Sequence, residues 1–352
     1  MNAGTGIDRY DLFISYRRLD QARVQPLVDA LQSRGLAVWF DQDEIDDFAP
    51  ITDAIRAGLA KSKALLAWHS LNYPKSRPCQ MELTAAFIAA QREGDPRRRI
   101  LVINPEATAA HVEPVELRDE QQLPAPSDPN AAAGYAELAE RIAAKLQPLQ
   151  NVLGAILPLT PPCQRGQKLA GSNRFVGRLP DLWRVHSALH RAESAIITGA
   201  AGAGLAQVSG LGGVGKSLLA EEYALRFGAA FPGGVFWLRA LGNDASGTAL
   251  SAEQQEAVRS DQFYSMAVAL GVAVQGLSPA EVEAALGCAL RQAGQPFLWV
   301  VDDLASGLNA AGVHAWFAPD PLGKTLLTTR SREYGQLGNA LPLGVLPPEE
   351  AY

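Results

Sequence analysis

Long apolar runs are missing from this sequence: no stretch approaches the about 18 uninterrupted apolar residues of a membrane-spanning helix. The opening MNAGTGIDRYDLFISYRRLD carries acidic residues where a signal peptide needs its apolar region. Cysteine is scarce. Cys79, Cys163 and Cys288 stand far apart, odd in number and without a CxxC pair, so they define neither a disulfide framework nor a zinc cluster and suit a reducing cytoplasm. An excess of positive charge is also missing. Lys and Arg number 31 against 37 Asp and Glu, a formal net charge of -6, which argues against a general nucleic-acid coat or a polybasic membrane clamp. Internal repeats and low-complexity tracts are absent apart from an alanine-rich tone. A cytoplasmic protein is expected, with no direct nucleic-acid or membrane partner.

What is present is enough apolar material for packed cores: 47% of 352 residues, which excludes a largely disordered chain and makes two domains the default. Short apolar strands alternate with amphipathic helices, the pattern of βα units around parallel sheets. In the first half, strands are expected at Tyr10–Ser15, Leu36–Phe40, Ala64–Trp68 and Arg99–Asn104. Helices are expected at Asp20–Arg34, Ile51–Ala60, about Gln80 to Arg92, and Gly134–Leu149. Asn151 to Ser172 holds Pro158, Pro161, Pro162 and several glycines with little periodicity, and reads as a linker between domains at 1–150 and 173–352. Strands of the second half fall near Ala195–Thr198, Leu205–Ser209, Val235–Leu238, Phe297–Asp302 and Thr325–Thr328.

Gly210-Leu211-Gly212-Gly213-Val214-Gly215-Lys216-Ser217 matches GxxxxGK(S/T) in full, after an apolar strand and at the start of the helix Ser217–Phe227. Its glycines let backbone N–H groups turn around a polyphosphate, with the helix N-terminus behind them. Lys216 is placed to neutralise β- and γ-phosphates and the Ser217 hydroxyl to ligate Mg²⁺. The strand Phe297–Val301 ends in Asp302 and Asp303. Asp302 is the expected second metal-side ligand, while Asp303 either polarises water or caps the next turn. Lys324–Thr329 brings Arg330 to a strand's C-terminal edge, within reach of a γ-phosphate or simply at the surface. Gly199–Gly204 also looks phosphate-friendly, but no helix follows it and a hairpin turn fits better.

With Phe175-Val176-Gly177-Arg178 ahead of them, these motifs resemble the NB-ARC branch of the STAND ATPases from about Asn173 to Tyr352. The resemblance implies a P-loop NTPase α/β domain holding ATP or ADP with Mg²⁺, with Val176 and Arg178 flanking the adenine. It also implies that the helical and winged-helix parts of such proteins, with their nucleotide-sensing histidine, are missing here.

In the first half, Asp11–Ser15 runs into Tyr16-Arg17-Arg18, and Gly35–Phe40, with Trp39 near its end, runs into an acidic loop. Leu65–Trp68 opens into His69-Ser70-Leu71-Asn72-Tyr73. Ser76-Arg77-Pro78-Cys79-Gln80-Met81-Glu82-Leu83 then starts a helix, with Glu82 expected in its first turn. Three such loops share the sheet edge where α/β folds hold ligands. These boxes resemble the TIR domain over about Tyr10 to Leu149, implying a flavodoxin-like parallel sheet.

In enzymatic TIR domains the glutamate of this helix start cleaves the N-glycosidic bond of NAD⁺, and Glu82 is the matching position. One carboxylate suffices chemically, because nicotinamide leaves a cationic substrate as a neutral group and needs no acid. Tyr16, Arg17 and Trp39 are candidates for contacting the substrate. A glutamate near a helix start also favours stability by itself, Trp39 also suits a core, His69 suits loop shaping, and Cys79 suits packing. The loop Asp43–Pro50 lacks the glycine that is usual in the family. Together the two resemblances imply a homo-oligomeric NAD⁺ hydrolase gated by its nucleotide-binding module, as in anti-phage defence, with an unidentified trigger. A non-enzymatic TIR adaptor, or an ATPase whose first half merely packs, are the competing expectations.

Overall fold

The computed structural model describes residues 9–40, 53–118, 122–128, 130–172, 175, 178–190, 205–209, 215–240, 250–329, 334 and 339–343. The chain divides into two compact units, Met1–Leu159 and Thr160–Tyr352.

The first unit runs β1 (Tyr10–Tyr16), α1 (Gln21–Ser33), β2 (Val38–Trp39), α2 (Asp53–Ala60), β3 (Ser62–Trp68), α3 (Arg77–Glu93), β4 (Ile100–Asn104), β5 (Gln122–Pro124) and α4 (Ala132–Leu146). All five strands are parallel, in the order β2-β1-β3-β4-β5. Alternation along β1 divides its side chains between two faces. Leu12 and Ile14 join Val24, Leu27 and Leu31 of α1 and Leu138 and Ile142 of α4 in one buried cluster. Phe13 and Ser15 point to the opposite face. The strand order reverses between β1 and β3, and in such sheets the crevice beyond the strand ends at that switch point is where ligands bind.

Two local differences from the sequence expectation have simple causes. α3 starts at Arg77 rather than near Gln80, because Ser76 caps it: the Cys79 N–H donates to Ser76 Oγ, and Pro78 sits in the first turn. β5 is an additional strand of three residues with Leu123 its one buried side chain, too short for alternation to reveal.

The second unit runs β6 (Gln164–Arg165), α5 (Leu179–His190), β7 (Leu205–Ser209), α6 (Lys216–Arg226), β8 (Val235–Arg239), α7 (Ala252–Ala269), α8 (Pro279–Ala293), β9 (Phe297–Leu304), α9 (Ala310–His314), β10 (Gly323–Thr329) and β11 (Asn339–Pro342). Its sheet is also fully parallel, ordered β11-β7-β10-β9-β8-β6. Phe236, Trp299, Val301 and Leu327 pack on one face with Phe263 and Met266 of α7 and Leu286 and Leu290 of α8. Ser251 and Ser278 start these two helices with capping boxes completed by Gln254 and Glu281. Both units are thus α/β with parallel sheets flanked by helices.

The segment expected as a linker is mostly irregular, with a two-residue strand at Gln164–Arg165, and it pairs with each unit in turn. The Leu153 N–H donates to Ser62 O and the Gly154 N–H to Ala60 O, fastening this stretch to the first unit. β6 pairs with β8 in the second. Extended segments that pair singly with a sheet end carry no periodicity for a sequence to display. The expected strand Ala195–Thr198, the Gly199–Gly204 turn and the Asp43–Pro50 loop lie outside the described residues.

Candidate functional sites

At the C-terminal edge of the first sheet, β1 delivers Ser15 to the face covered by α3. The Ser15 hydroxyl donates to Glu82 Oε2 at 2.6 Å, and its oxygen lies 2.7 Å from the Tyr73 hydroxyl. Tyr73 is also positioned to donate to the Cys79 carbonyl at 3.2 Å. Glu82 is 7% exposed, Ser15 1% and Tyr73 fully buried. Glu82 is the sixth residue of α3, not a first-turn residue as expected, because the helix begins earlier. The helix dipole acts within the first turn, so Glu82 lies beyond its reach, and the Ser15 hydroxyl is a hydrogen-bond donor to its carboxylate. Burial, and after it the Glu82 charge, push the Cys79 thiol far up, and Cys79 is a packed neutral side chain. The same site pushes the Tyr73 phenol up, foremost by burial, so Tyr73 keeps its proton.

The loops after β1 and β3 are tied together above this cluster. Ser70 Oγ donates to the buried Asp20 carboxylate at 2.6 Å, and the Asn72 N–H donates to Ser70 Oγ at 3.1 Å. Arg17 Nη1 reaches the Asn72 carbonyl at 3.5 Å, and its charge acts on Cys79. Arg17 and Glu82 therefore belong to one site. Tyr16 points to the other face of β1 and stacks on Phe40, ring centroids 4.9 Å apart. Trp39 lies flat on Phe13 at 4.3 Å and against α2, where a Cβ on Gly58 would come within 2.7 Å of the indole. Trp39 is a packing residue in this arrangement. Sequence reading missed Ser15 and Tyr73 as partners of Glu82. The available signal was a hydroxyl at the last inward position of an apolar strand.

His69 is 1% exposed, stacked near Tyr73 and His111, and neither of its ring nitrogens meets a hydrogen-bond partner among the described residues. Burial, then the nearby His111, lower its pKa to about 3. The folded state therefore keeps His69 neutral, while the unfolded chain takes up a proton near pH 6.5. Its contribution is intact above that pH and is lost as pH falls from 6.5 towards 3, by about 1.4 kcal/mol per unit. His69→Phe keeps the ring contacts and breaks no hydrogen bond. The expected result is unchanged stability at pH 7 and a gain of about 2.7 kcal/mol over wild type near pH 4.5, read from denaturant melts across pH.

In the second unit, β7 leads through the glycine-rich loop to α6. Gly210, Gly212, Gly213 and Val214 lie outside the described residues, as do Val176 and Arg330. Gly215 is left-handed (φ 87°), a conformation that glycine adopts without strain. It is followed by Lys216, 9% exposed, and Ser217. Ser217 Oγ donates to Asp302 Oδ1 at 2.7 Å, and Thr328 Oγ1 donates to the same oxygen at 2.5 Å. The Asp303 N–H in turn donates to Thr328 Oγ1 at 2.9 Å. Asp303 has φ 57°, a left-handed conformation that is strained for a side-chain-bearing residue. Thr328, on the strand between those carrying Ser217's loop and Asp302, went unrecognised in the sequence. The converging hydroxyl and carboxylate are hard oxygen donors suited to Mg²⁺. Among the described residues no group of three or more His, Cys, Asp or Glu gathers for a metal, so a cation here would take the rest of its shell from water or phosphate oxygens. Arg178 pairs with Asp181 at 3.1 Å at the start of α5. No helix among the described residues is long and apolar enough to cross a membrane.

A parallel sheet in the order 2-1-3-4-5 defines a doubly wound α/β module. The TIR domain family matches residues 12–147, and the first unit is a TIR domain. Similar solved structures include the TIR domain of a Toll-related receptor from Hydra magnipapillata, 18% identical, covering 38% of this chain and 98% of that one, with a TM-score of 0.28. The TIR domains of the activated Roq1 resistosome are 18% identical, covering 42% and 86% with a TM-score of 0.26. A STAND protein with a tetratricopeptide repeat sensor from Pyrococcus horikoshii is 20% identical over 51% of this chain, with a TM-score of 0.29; the match spans a quarter of that protein's length. No curated protein matched.

Proposed function

We propose that the TIR domain is an NAD⁺ hydrolase, releasing nicotinamide and ADP-ribose or a cyclic form, and that the second unit is an NB-ARC-type module whose bound ATP or ADP controls assembly. The observation that carries this reading is the Glu82 carboxylate held by Ser15 at the β1 end of the switch-point crevice. A fixed anion there stabilises the oxocarbenium-like ribose left as neutral nicotinamide departs, or captures it covalently, and water completes hydrolysis. Arg17, on the same edge, is placed for the pyrophosphate. In the second unit Lys216 would neutralise the β- and γ-phosphates, and Ser217 and Asp302 would hold Mg²⁺, which supplies charge neutralisation between phosphates. Asp303 belongs to the same strand end. The biological role that suits an NAD⁺-depleting switch is anti-phage defence by abortive infection, in the cytoplasm and under an unidentified trigger.

Self-association follows from the cost of uncontrolled NAD⁺ loss, since a site completed by a neighbouring copy is silent when dilute. In a dilution series of the activated chain, specific activity should fall with concentration; a constant value contradicts gating by assembly. The competing adaptor reading draws on the burial of Glu82, whose 7% exposure leaves little surface for substrate. NAD⁺ consumption by the full chain separates the two. Turnover that disappears in Glu82→Gln with assembly intact supports the hydrolase, whereas an assembled wild-type chain that leaves NAD⁺ untouched supports the adaptor.

A further inference from the structure

We infer that Thr328 is a positioning residue for the cation site of the second unit, holding Asp302 towards Ser217 across a bulge in β9. The inference rests on the nucleotide-binding reading of that unit and adds a residue that acts through Asp302.

The bulge is visible in the strand register. From Val301 to Leu304, β9 takes three steps where its partner β10 takes two, from Leu327 to Thr329. Asp302 and Asp303 therefore stand together opposite Thr328, the two-against-one arrangement of a β-bulge. Alternation shows what the extra residue does. Trp299 and Val301 pack in the cluster formed with α7 and α8, and Leu304 belongs to the same cluster. In an uninterrupted strand Leu304 would share the face of Asp302, because side chains alternate with period two. The bulge returns Leu304 to the core while Asp302 meets Ser217 at the start of α6. Asp303 absorbs the change in its left-handed backbone, a conformation that aspartate tolerates better than most residues.

Two consecutive threonines of β10 pin this bulge. Thr328 Oγ1 donates to Asp302 Oδ1 at 2.5 Å and accepts the Asp303 N–H at 2.9 Å, so one hydroxyl bridges both bulged residues. Thr329 Oγ1 donates to the Leu304 carbonyl at 2.8 Å, beyond the bulge. Both threonines are buried, where a hydroxyl must be satisfied within the protein. Asp302 Oδ1 thus takes one proton from α6, through Ser217, and one from β10, through Thr328. Turning the carboxylate about its last bond would break both contacts. Oδ2 receives no hydrogen bond among the described residues and is held in one place, available to a cation or to a water bound on it. Hydrogen bonds behind a ligating carboxylate orient it in this way and tune its hold on the metal.

The test uses the full chain with ADP and Mn²⁺, whose paramagnetic resonance signal distinguishes free from bound cation. Thr328→Val keeps the shape of the side chain and removes its hydroxyl. It should weaken Mn²⁺ binding to the ADP complex about tenfold, the order of loss usual when a hydrogen bond behind a metal ligand is removed. ADP binding without divalent cation should stay within about twofold, since the hydroxyl is engaged by Asp302 and Asp303. Thr328→Ser returns the hydroxyl and should recover most of the Mn²⁺ affinity. Melting temperature is not the readout, because an unpaired Asp303 N–H would lower it whatever the role of Asp302. Where the valine variant does not fold, Thr328→Ala carries the same expectation. Unchanged Mn²⁺ affinity in a folded variant that binds ADP overturns the inference and leaves the nucleotide reading in place. An equal loss of cation-free ADP binding, or no recovery in Thr328→Ser, overturns it as well. A wild-type chain that binds neither ADP nor Mn²⁺ in its presence removes the nucleotide reading and the inference together.

Discussion

Glu82→Gln should slow NAD⁺ cleavage by roughly a thousandfold with little change in melting temperature. The size follows from electrostatics. A carboxylate about 4 Å from a developing unit positive charge contributes on the order of 4 kcal/mol at the effective dielectric of a partly buried site, which is about three powers of ten in rate. Glutamine has the same volume and an oxygen that still accepts from Ser15, so the 2.6 Å contact and the packing of α3 persist. Only the charge is removed. Stopped assays of nicotinamide release measure the effect, and retention of more than about a tenth of the wild-type rate would exclude Glu82 as the stabilising anion.

The parts of this molecule that could be read from sequence are those whose physics is local. The strand–loop–helix around Lys216 and Ser217 is written in contiguous residues, and the glycine at 215 meets a backbone demand that the structure places there. Asp302 at the end of an apolar strand is equally local, and its 2.7 Å contact with Ser217 unites two motifs recognised separately. The functional edge of the TIR sheet was visible for the same reason, since loops after parallel strands must emerge together. What stayed hidden depends on tertiary pairing. Ser15 and Glu82 are 67 residues apart, and Ser15 and Tyr73 58 apart, with nothing in any one segment to announce the row of hydroxyls. Trp39 was ambiguous for the opposite reason: an indole at a strand end suits a ligand or a core. The missing Cβ of Gly58, on a helix 19 positions away in sequence, decides in favour of packing. The start of α3 shifted by a turn because a serine cap followed by proline outweighs the apolar periodicity that begins later. That shift carries chemistry, since it moves Glu82 out of the first turn, where the helix dipole acts, to a position where Ser15 donates to it.

Lys216→Ala should weaken binding of ATP or ADP by about a hundredfold, the loss expected when charge-assisted contacts worth about 3 kcal/mol are removed. Lys216 is 9% exposed at the first position of α6, directly after the left-handed Gly215, so its ammonium group has little freedom to be replaced by solvent cations. Ligand linkage converts this into a melting experiment. At a nucleotide concentration 100 times the wild-type Kd, binding stabilises the second unit by about 2.7 kcal/mol, an upward shift of about 5–10 °C for a domain of this size. The variant at the same concentration sits near its own Kd, where the stabilisation is about 0.4 kcal/mol and the shift about 1–2 °C. Ser217→Ala separates the cation from the phosphate contacts. It should leave the Mg²⁺-free nucleotide shift intact while abolishing the increment that Mg²⁺ adds, because the hydroxyl, which contacts Asp302, is proposed to ligate the cation rather than the phosphate chain. A nucleotide-dependent shift equal in wild type and Lys216→Ala would mean that the glycine-rich loop is not where the nucleotide binds. Control of TIR assembly by the second unit would then lose its physical basis, since a ligand biases an equilibrium only through a site that distinguishes the two states.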